Sequence, residues 1–288
     1  MRGKRGKFIA PVLIFAGVLF LLPLIVTFIN SFMTEAEIAL NYTSKLNVFD
    51  LMDGIAENFM RIRLIPQRVS ADQYKEVLVD QPSFLILLMN SLKIALPVTF
   101  GSLLVSLSAA YGFTVWNWKH KEAVFTVYVV VMLMPLQAVL VPNYIIADLL
   151  QIKDSYLAII LPGIFSPFGV FLLRQSMKAL PPAYFEAARM DGASDFAVFR
   201  HIVVPQMKSS IAALWMLNFI EYWNLVEQAV IFIDDYAKEP LSVYLSRLAE
   251  GRMGLVFAAS CVYMFLPLWF LTLGQRDLEK GIELSGVK

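Results

Sequence analysis

The sequence has little of what catalytic, redox and metal sites are made from. Its 288 residues include one cysteine, Cys261, and two histidines, His120 and His201. One cysteine excludes an intrachain disulfide, and neither histidine has a partner at metal-ligand spacing. No G-x-x-x-x-G-K-[ST] or H-E-x-x-H segment occurs, so neither a phosphate-binding loop of that kind nor a zinc-protease helix is present. The sequence therefore predicts no catalytic, cofactor-binding or metal site.

Charge is also scarce. Charged residues make up 16% of the chain, hydrophobic residues 58%, and the formal net charge is +1. Soluble domains carry about 25% charged residues, and nucleic-acid-binding domains are strongly basic. The composition therefore excludes a soluble globular domain and a nucleic-acid partner, and it predicts an all-α membrane protein surrounded by lipid.

Six apolar stretches are long enough to cross a bilayer, whose hydrocarbon core of about 30 Å requires about 20 helical residues. The fourth contains Pro162 and Pro167, which membrane helices tolerate where neighbouring groups satisfy the freed backbone. The first follows a basic segment but is too long for a typical signal peptide, so it is predicted to stay as an anchor. The stretches are 8–29, 84–113, 123–142, 156–173, 209–233 and 254–274.

Basic residues near the ends of these stretches predict their orientation, because cytoplasmic loops carry an excess of Lys and Arg. The amino terminus is basic, and six crossings place the basic 174–208 segment and the carboxyl terminus on the same side. Both termini are therefore predicted to be cytoplasmic. The predicted parts are a cytoplasmic amino terminus with the first helix (1–29), an extracytoplasmic loop (30–82), a five-helix core (83–274) and a cytoplasmic tail (275–288).

The segment 181–205 is charged and lies between strongly apolar runs. Two prolines at its start suit a helix N-terminus, where a missing N–H is tolerated. Gly192 suits the left-handed residue that ends a helix, and Ser194 can cap a second one. The segment is therefore predicted to form two short helices with a sharp bend at Gly192.

The spacing within this segment is more specific than its composition. Glu186, Ala187 and Ala188 are followed after three residues by Gly192, and after nine more by Ile202, with Pro205 closing the pattern. This pattern resembles the cytoplasmic EAA loop of bacterial ATP-binding-cassette importer permeases, in the carbohydrate branch related to the second maltose permease subunit. Val204 stands where that family usually has Leu. The resemblance is continuous from Asn90 onward and covers about two thirds of the chain.

The resemblance implies a role for the loop. Residues implied to couple the permease to its ATPase are Glu186, Ala187, Ala188, Arg189, Asp191, Gly192, Ile202 and Pro205. Glu186 and Arg189 share a helix face and can pair with each other or with a partner. The alternative is an ordinary amphipathic connector lying on the membrane, for which Phe196 and Phe199 would be suited.

The family resemblance also implies an assembly in a bacterial cytoplasmic membrane. Its expected members are a second homologous permease, two ATPase subunits that bind ATP and magnesium, an extracytoplasmic solute-binding protein and a carbohydrate substrate. The 30–82 segment is far longer than an ordinary connection, and its patches 49–58 and 72–80 have helix-like apolar spacing. It is predicted to fold as a small cap, serving either to dock the solute-binding protein or as a structural lid.

The fifth apolar stretch carries polar residues at helical spacing. Asn218, Glu221, Asn224 and Gln228 step by three, three and four residues, and Tyr222 is adjacent. On one helix they would share a face, and an intramembrane carboxylate is expected to face the bundle interior or water. These side chains suit sugar hydroxyls, which donate and accept hydrogen bonds. Two alternatives remain open: a hydrogen-bonded helix seam, and a secondary transporter coupled to an ion through Glu221.

The carboxyl terminus also resembles the family, whose tail reaches toward the ATPase interface. The residues implied to contact the ATPase are Gly281, Ser285, Gly286 and Lys288, while the family's final glycine is absent. The alternative for this tail is a frayed, solvated terminus.

Overall fold

The structure is a computed structural model in which residues 2–42, 65–247 and 252–284 are described. Within these ranges the chain is helical apart from turns, with one isolated β-bridge between Met33 and Val69. The helices are α1 (Arg2–Asn30), α2 (Glu35–Tyr42), α3 (Asp72–Lys75), α4 (Pro82–Thr114), α5 (Lys121–Met132), α6 (Leu136–Leu149), α7 (Leu157–Ile164), α8 (Pro167–Lys178), α9 (Pro182–Met190), α10 (Asp195–Val198), α11 (Lys208–Trp223), α12 (Glu227–Phe232), α13 (Leu241–Arg247) and α14 (Met253–Leu284).

The all-helical class expected from the composition is confirmed. Four segments of the described chain are long and apolar enough to cross a membrane. Helices α5 and α6 make a fifth if the two are counted together as one broken span. The stretch 209–233 is not among them, because α11 ends at Trp223 and α12 is a separate six-residue helix. The four segments are Pro11–Asn30, Pro82–Thr114, Leu157–Lys178 and Met253–Gly281.

Two other apolar stretches are also broken. The stretch 123–142 is not one continuous helix, since α5 and α6 meet at an angle of 101°. Pro135, at the break, has an extended ψ of 145° and removes a helical N–H. Between α7 and α8 the Ser166 hydroxyl accepts the Gly169 N–H at 3.0 Å and caps the new helix, with Pro167 in its first turn.

The chain divides into two compact units, Met1–Leu85 with Tyr244–Phe265 and Ile86–Val243 with Leu266–Lys288. In the first unit, Met33, Ile38 and Tyr42 form a buried cluster against Met253 and Phe257. The end of α1, helix α2 and the start of α14 are thereby packed together by apolar contact. The described part of the 30–82 segment is thus folded rather than extended.

Polar contacts strengthen this first unit. Arg252 binds both carboxylate oxygens of Glu76, at 2.6 and 2.8 Å, in the bidentate arrangement that arginine favours. The carboxylate of Glu37 accepts the backbone N–H groups of Gln67 and Arg68 at 2.8 and 3.4 Å. The predicted helical patch 72–80 is α3 followed by a π-helical turn, whereas the patch 49–58 lies outside the described residues.

Helix α4 organises the second unit because apolar clusters form along it. Its first half contributes Ile94 and Val98 to a cluster with α7 and α12. Its second half contributes Leu107, Ala110 and Tyr111 to a cluster with α8 and the segment that follows α8. Buried apolar area on one long helix therefore orders elements that are far apart in the chain.

The segment 234–243 connects α12 to the start of α13. It is held in place by side chains from other elements. The Asn90 amide donates to the carbonyls of Ala237 and Glu239 at 2.8 and 3.1 Å, and the Ser91 hydroxyl accepts the Leu241 N–H at 2.9 Å. The Asn90 amide and the Ser91 hydroxyl both belong to the first half of α4. These two polar residues therefore fix the connection after α12.

Asp154 holds the other side of this segment. Its Oδ1 accepts the N–H groups of Asp234 and Asp235 at 3.1 and 3.0 Å, while Oδ2 binds the Lys238 ammonium at 2.5 Å. The hydrogen bond from Lys238, followed by those from the two backbone amides, lowers the pKa of the Asp154 carboxyl. The same contact raises the pKa of Lys238, so both groups remain charged at neutral pH.

Arg174 was expected among loop charges following a span that ends at residue 173, but it lies within α8 and is 2% exposed. Arg174 can be buried within α8 because a carboxylate and an aromatic ring compensate the charge of its guanidinium. Its guanidinium binds the Glu122 carboxylate at 2.6 Å and lies 3.7 Å from the centre of the Phe125 ring. Glu122 and Phe125 both belong to α5, so this contact ties α5 to α8.

We expect Glu122→Ala to lower the apparent melting temperature in detergent by about 4 °C or more, and by more than Arg174→Met. The first change leaves a buried guanidinium without its carboxylate, whereas the second removes the buried charge and leaves an exposed carboxylate. Glu279→Ala is the control, because among the described residues that exposed carboxylate accepts only from Gln275. Equal shifts for the first two variants would contradict this account of the pair.

Candidate functional site

The segment 181–205 forms a bent pair of short helices. Helix α9 ends at Met190, and Gly192 follows with a φ of 74°. The Gly192 N–H donates to the Arg189 carbonyl at 3.1 Å, and the Ala193 N–H donates to the Ala188 carbonyl at 3.0 Å. These bonds satisfy the last carbonyls of α9, and they need a left-handed residue at position 192, which glycine adopts without strain.

The second half begins with a side-chain cap. The Ser194 hydroxyl accepts the Ala197 N–H at 3.3 Å at the start of α10. The helix then widens into a π-helical turn, Phe199–Val203, and continues as Val204–Gln206. Pro205 therefore lies inside the last helical piece rather than after it. Pro205 has no N–H to donate to a carbonyl of the preceding turn, and the wider hydrogen-bond spacing of the π-helical turn is compatible with this missing bond.

One face of this bent pair is buried. Ala188, Val198, Val203 and Met207 belong to the apolar cluster that includes the second half of α4 and helix α8. Ile202 is packed against the same cluster. The bent pair is therefore packed by apolar contact on α4 and α8, which belong to two of the segments long enough to cross a membrane.

Asp195, at the start of α10, is held by the end of α4. Its carboxylate accepts the Trp116 indole N–H at 3.1 Å, and its carbonyl accepts the Tyr111 hydroxyl at 3.2 Å. The Tyr111 ring also meets the Phe199 ring edge-on, with centroids 5.4 Å apart. Neither Tyr111 nor Trp116 was predicted as a site residue, because contacts across 79 to 84 residues leave no local spacing pattern in the sequence.

The opposite face of α9 is exposed. Ala183, Ala187 and Met190 are four and three residues apart and so share one helix face, and Met190 is 89% exposed. Phe196, beyond the bend, is 69% exposed. Of the residues implied to couple to an ATPase, Ala188 is buried and Ile202 is partly buried. Those on the exposed side are Glu186, Ala187, Arg189, Asp191, Gly192 and Pro205.

The polar residues expected on one helix face are not on one helix. Asn224 follows the last residue of α11, and Gln228 belongs to α12. Asn218 is 2% exposed, and its amide donates to the Ser102 hydroxyl of α4 at 2.9 Å, which makes it a packing residue. Glu221 and Asn224 are exposed, and Tyr222 lies partly buried beside Gly163. The continuous polar stripe predicted over 209–233 is therefore wrong beyond Trp223.

Helix α14 continues to Leu284, so residues 275–284 are helical rather than a separate tail. Gly281 is buried against the start of α11: a β-carbon there would lie 2.6 Å from the Ser209 carbonyl oxygen and from the Ala213 β-carbon. Asp277 accepts the Ser209 hydroxyl at 3.0 Å. This end of α14 is therefore anchored beside the residues that follow the bent pair. Ser285, Gly286 and Lys288 lie outside the described residues.

The chain has relatives among known proteins. Residues 84–275, which contain the bent pair, match the family described as the binding-protein-dependent transport system inner membrane component. The chain belongs to this family. The family that the EAA spacing predicted is thereby confirmed, and this inner-membrane component carries the bent pair between two of its candidate membrane-crossing helices.

Relatives of this inner-membrane component include several named permease proteins. It is 34% identical to the lactose transport system permease protein of Rhizobium radiobacter, covering 73% of this chain and 77% of the relative. It is 28% identical to the arabinooligosaccharides transport system permease protein of Bacillus subtilis, covering 80% and 83%. A crystal structure of a bacterial ABC transporter that imports alginate contains a chain with the same fold, at a TM-score of 0.77, 20% identity and 96% and 98% coverage.

We expect Gly192→Ala to destabilise the bent pair by about 1–2 kcal/mol, because a β-carbon is strained at positive φ even though the surrounding space is open. Gly192→Asn should cost less, since asparagine tolerates this conformation better. Gly17→Ala is the matched control, with equally open space and no positive φ. Thermal unfolding and protease cleavage within 181–205 would measure the effect. Equal behaviour of Gly192→Ala and Gly17→Ala would remove the conformational role of the glycine.

Proposed function

We propose that the chain is a permease subunit of an ATP-binding-cassette importer that moves a carbohydrate, an oligosaccharide in particular, across the bacterial cytoplasmic membrane. The observation that carries this proposal is the family match over residues 84–275 together with the exposed alanine face of the bent pair within it. The carbohydrate class is supported by the named substrates of the lactose and arabinooligosaccharide relatives.

In this proposal six segments cross the membrane, with both termini in the cytoplasm. The two broken stretches, α5 with α6 and α11 with α12, complete the count beside the four long segments. Basic residues near the segment ends support this orientation. Breaks in a spanning segment are tolerated where protein groups satisfy the backbone, as Ser166 does between α7 and α8.

The bent pair is proposed as the contact with the ATPase subunits, which are the subunits that bind ATP and magnesium. Small side chains on the exposed face of α9 allow close approach of a partner. The buried face packs on α4 and α8, so a displacement of the loop is passed to two of the crossing segments. Such an element shifts the bundle between two openings only to the extent that the partner binds the two states differently.

The described part of the 30–82 segment is proposed to dock a solute-binding protein, a partner that the family description itself names. Its fold is supported by the Arg252–Glu76 pair and the Glu37 contacts with the backbone of Gln67 and Arg68. A lid over the bundle is the alternative role for this segment. Family membership favours ATPase-driven import over transport coupled to an ion through Glu221.

Glu221, Tyr222, Asn224 and Gln228 are proposed to line the substrate path, without the buried Asn218. Glu221 and Asn224 are exposed near the end of α11, where the helix breaks before α12. Broken helices beside polar side chains form the substrate sites of many secondary transporters, and the same backbone geometry suits a polar path here. The Glu221 carboxylate accepts, and the amide of Asn224 both donates and accepts, the hydrogen bonds that sugar hydroxyls require.

Ala187→Leu should abolish most carbohydrate uptake and reduce recovery of ATPase subunits with the purified chain, because a bulkier side chain on the exposed face blocks close approach. Membrane insertion and thermal stability should be unchanged, since Ala187 is not in the buried cluster. Ala237→Leu is the matched control, as it enlarges an exposed alanine in the segment 234–243 on the opposite side of the predicted topology. Normal uptake and ATPase recovery with Ala187→Leu would rule out this contact.

Glu221→Gln and Asn224→Ala should raise the KM for uptake several-fold and leave the melting temperature nearly unchanged, because both side chains are exposed. Asn218→Ala should do the reverse: it removes the buried hydrogen bond to Ser102, at a cost of about 1–3 kcal/mol, without touching the path. Uptake kinetics and thermal unfolding on the same preparations separate the two classes. Wild-type kinetics for both exposed variants would assign this face to packing.

A further inference from the structure

A cavity lies where α4 ends and α5 begins. It has a volume of about 400 Å³ and is lined by the consecutive residues 117–123. Two lysines and a histidine line it, Lys119, His120 and Lys121, together with Trp118. Neither the proposed coupling contact nor the proposed substrate path uses this cavity.

The positive charge of the cavity is not cancelled from within. Its one acidic residue is Glu122, whose carboxylate is already paired with the buried Arg174 guanidinium at 2.6 Å. Lys121 donates one hydrogen bond to the Trp116 carbonyl at 3.3 Å, and an ammonium has three donors. Lys119 has no hydrogen-bond or ion-pair partner among the described residues. The cavity is therefore complementary to an anion.

Exposed apolar side chains lie within the cavity and follow it along α5. The Trp118 ring packs on Phe113, with centroids 5.8 Å apart, and remains 39% exposed. From the first turn of α5 onward, Val124, Val127 and Val131 are exposed, and they are three and four residues apart on one helix face. Tryptophan beside lysine at the end of a crossing segment is the usual arrangement at a membrane interface. The surface thus combines an anion-binding part with an apolar track.

We propose that this cavity binds the phosphate headgroup of an anionic phospholipid from the cytoplasmic leaflet, with the acyl chains along the valine face of α5. Basic residues attract anionic lipids at this leaflet, and the ligand's amphiphilic form matches the adjoining charged and apolar surfaces. The proposed function enters only in placing residues 115–120 on the cytoplasmic side. Since Glu122 of the cavity pairs with Arg174, and Trp116 binds Asp195, a lipid held here lies beside α8 and the bent pair.

The test uses the full chain in nanodiscs of phosphatidylcholine containing either brominated phosphatidylglycerol or brominated phosphatidylcholine. Bromine quenches nearby indoles, and the signal of Trp118 is obtained by difference from a Trp118→Phe variant. We expect phosphatidylglycerol to quench Trp118 at lower mole fractions than phosphatidylcholine. Lys119→Gln should weaken this preference about fivefold, and Lys119→Gln with Lys121→Gln should weaken it further. Equal quenching by the two lipids in the wild type would overturn the proposal.

The matched control is Lys208→Gln with Lys280→Gln, which removes the same charge from two exposed lysines outside the cavity on the same side of the predicted topology. The preference for phosphatidylglycerol should survive in this variant. If both double variants lose the preference equally, the total positive charge of the chain and not the cavity determines it, and the proposal is wrong. Preference abolished by inorganic phosphate, but not by chloride at the same ionic strength, would assign the cavity to a soluble anion instead.

A last outcome separates the lipid from a protein partner. If Lys119→Gln with Lys121→Gln abolishes recovery of ATPase subunits while the lipid preference persists, the cavity contacts the ATPase and the lipid proposal is wrong. Quenching is measured without transport, so a negative result there with normal uptake overturns only the lipid site. Retained quenching with unaffected uptake in Ala187→Leu would instead count against the proposed function alone.

Discussion

Backbone hydrogen bonding is the constraint on which the rest of this structure depends. In an apolar surrounding each N–H and C=O group must be satisfied within the protein, and long helices do this by themselves. Where a helix breaks, a side chain can replace the missing bond. Ser166 does so before α8, while Asn90, Ser91 and Asp154 do so for the segment 234–243. Side chains therefore stabilise the break before α8 and the segment after α12, whereas α6 begins at Pro135 without a side-chain cap.

The bent pair obeys the same constraint at a more exposed place. Gly192 and Ser194 satisfy the ends of the two helices locally, which leaves the side chains of α9 free for contact with other groups. Ala188 and Val198 attach the pair to the interior, and Asp195 attaches it to the end of α4. A short surface element thus has a defined shape and a defined connection to long helices. Both properties are needed if it is to transmit movement rather than bend on contact.

Much of the candidate site could be predicted because its signals are local. A glycine at positive φ, a serine cap and the EAA spacing all lie within 25 consecutive residues, from Pro181 to Pro205, and each reflects the backbone conformation of its own segment. The stripe from Asn218 to Gln228 was predicted less well. Its periodicity presumed an unbroken helix, and hydropathy carries no information about the break after Trp223. Arg174 was misassigned for a related reason, since its neutralising carboxylate comes from a different helix.

The sequence by itself determined the all-helical membrane class, the family and the bend at Gly192, because composition, spacing and backbone preference are properties of adjacent residues. Only the tertiary structure decided which polar side chains are buried partners and which are exposed. Asn218 and Glu221 are three residues apart on the same helix, yet the first faces Ser102 and the second is exposed. The physical reason is that burial depends on what packs against a side chain, and here that neighbour is 116 residues away.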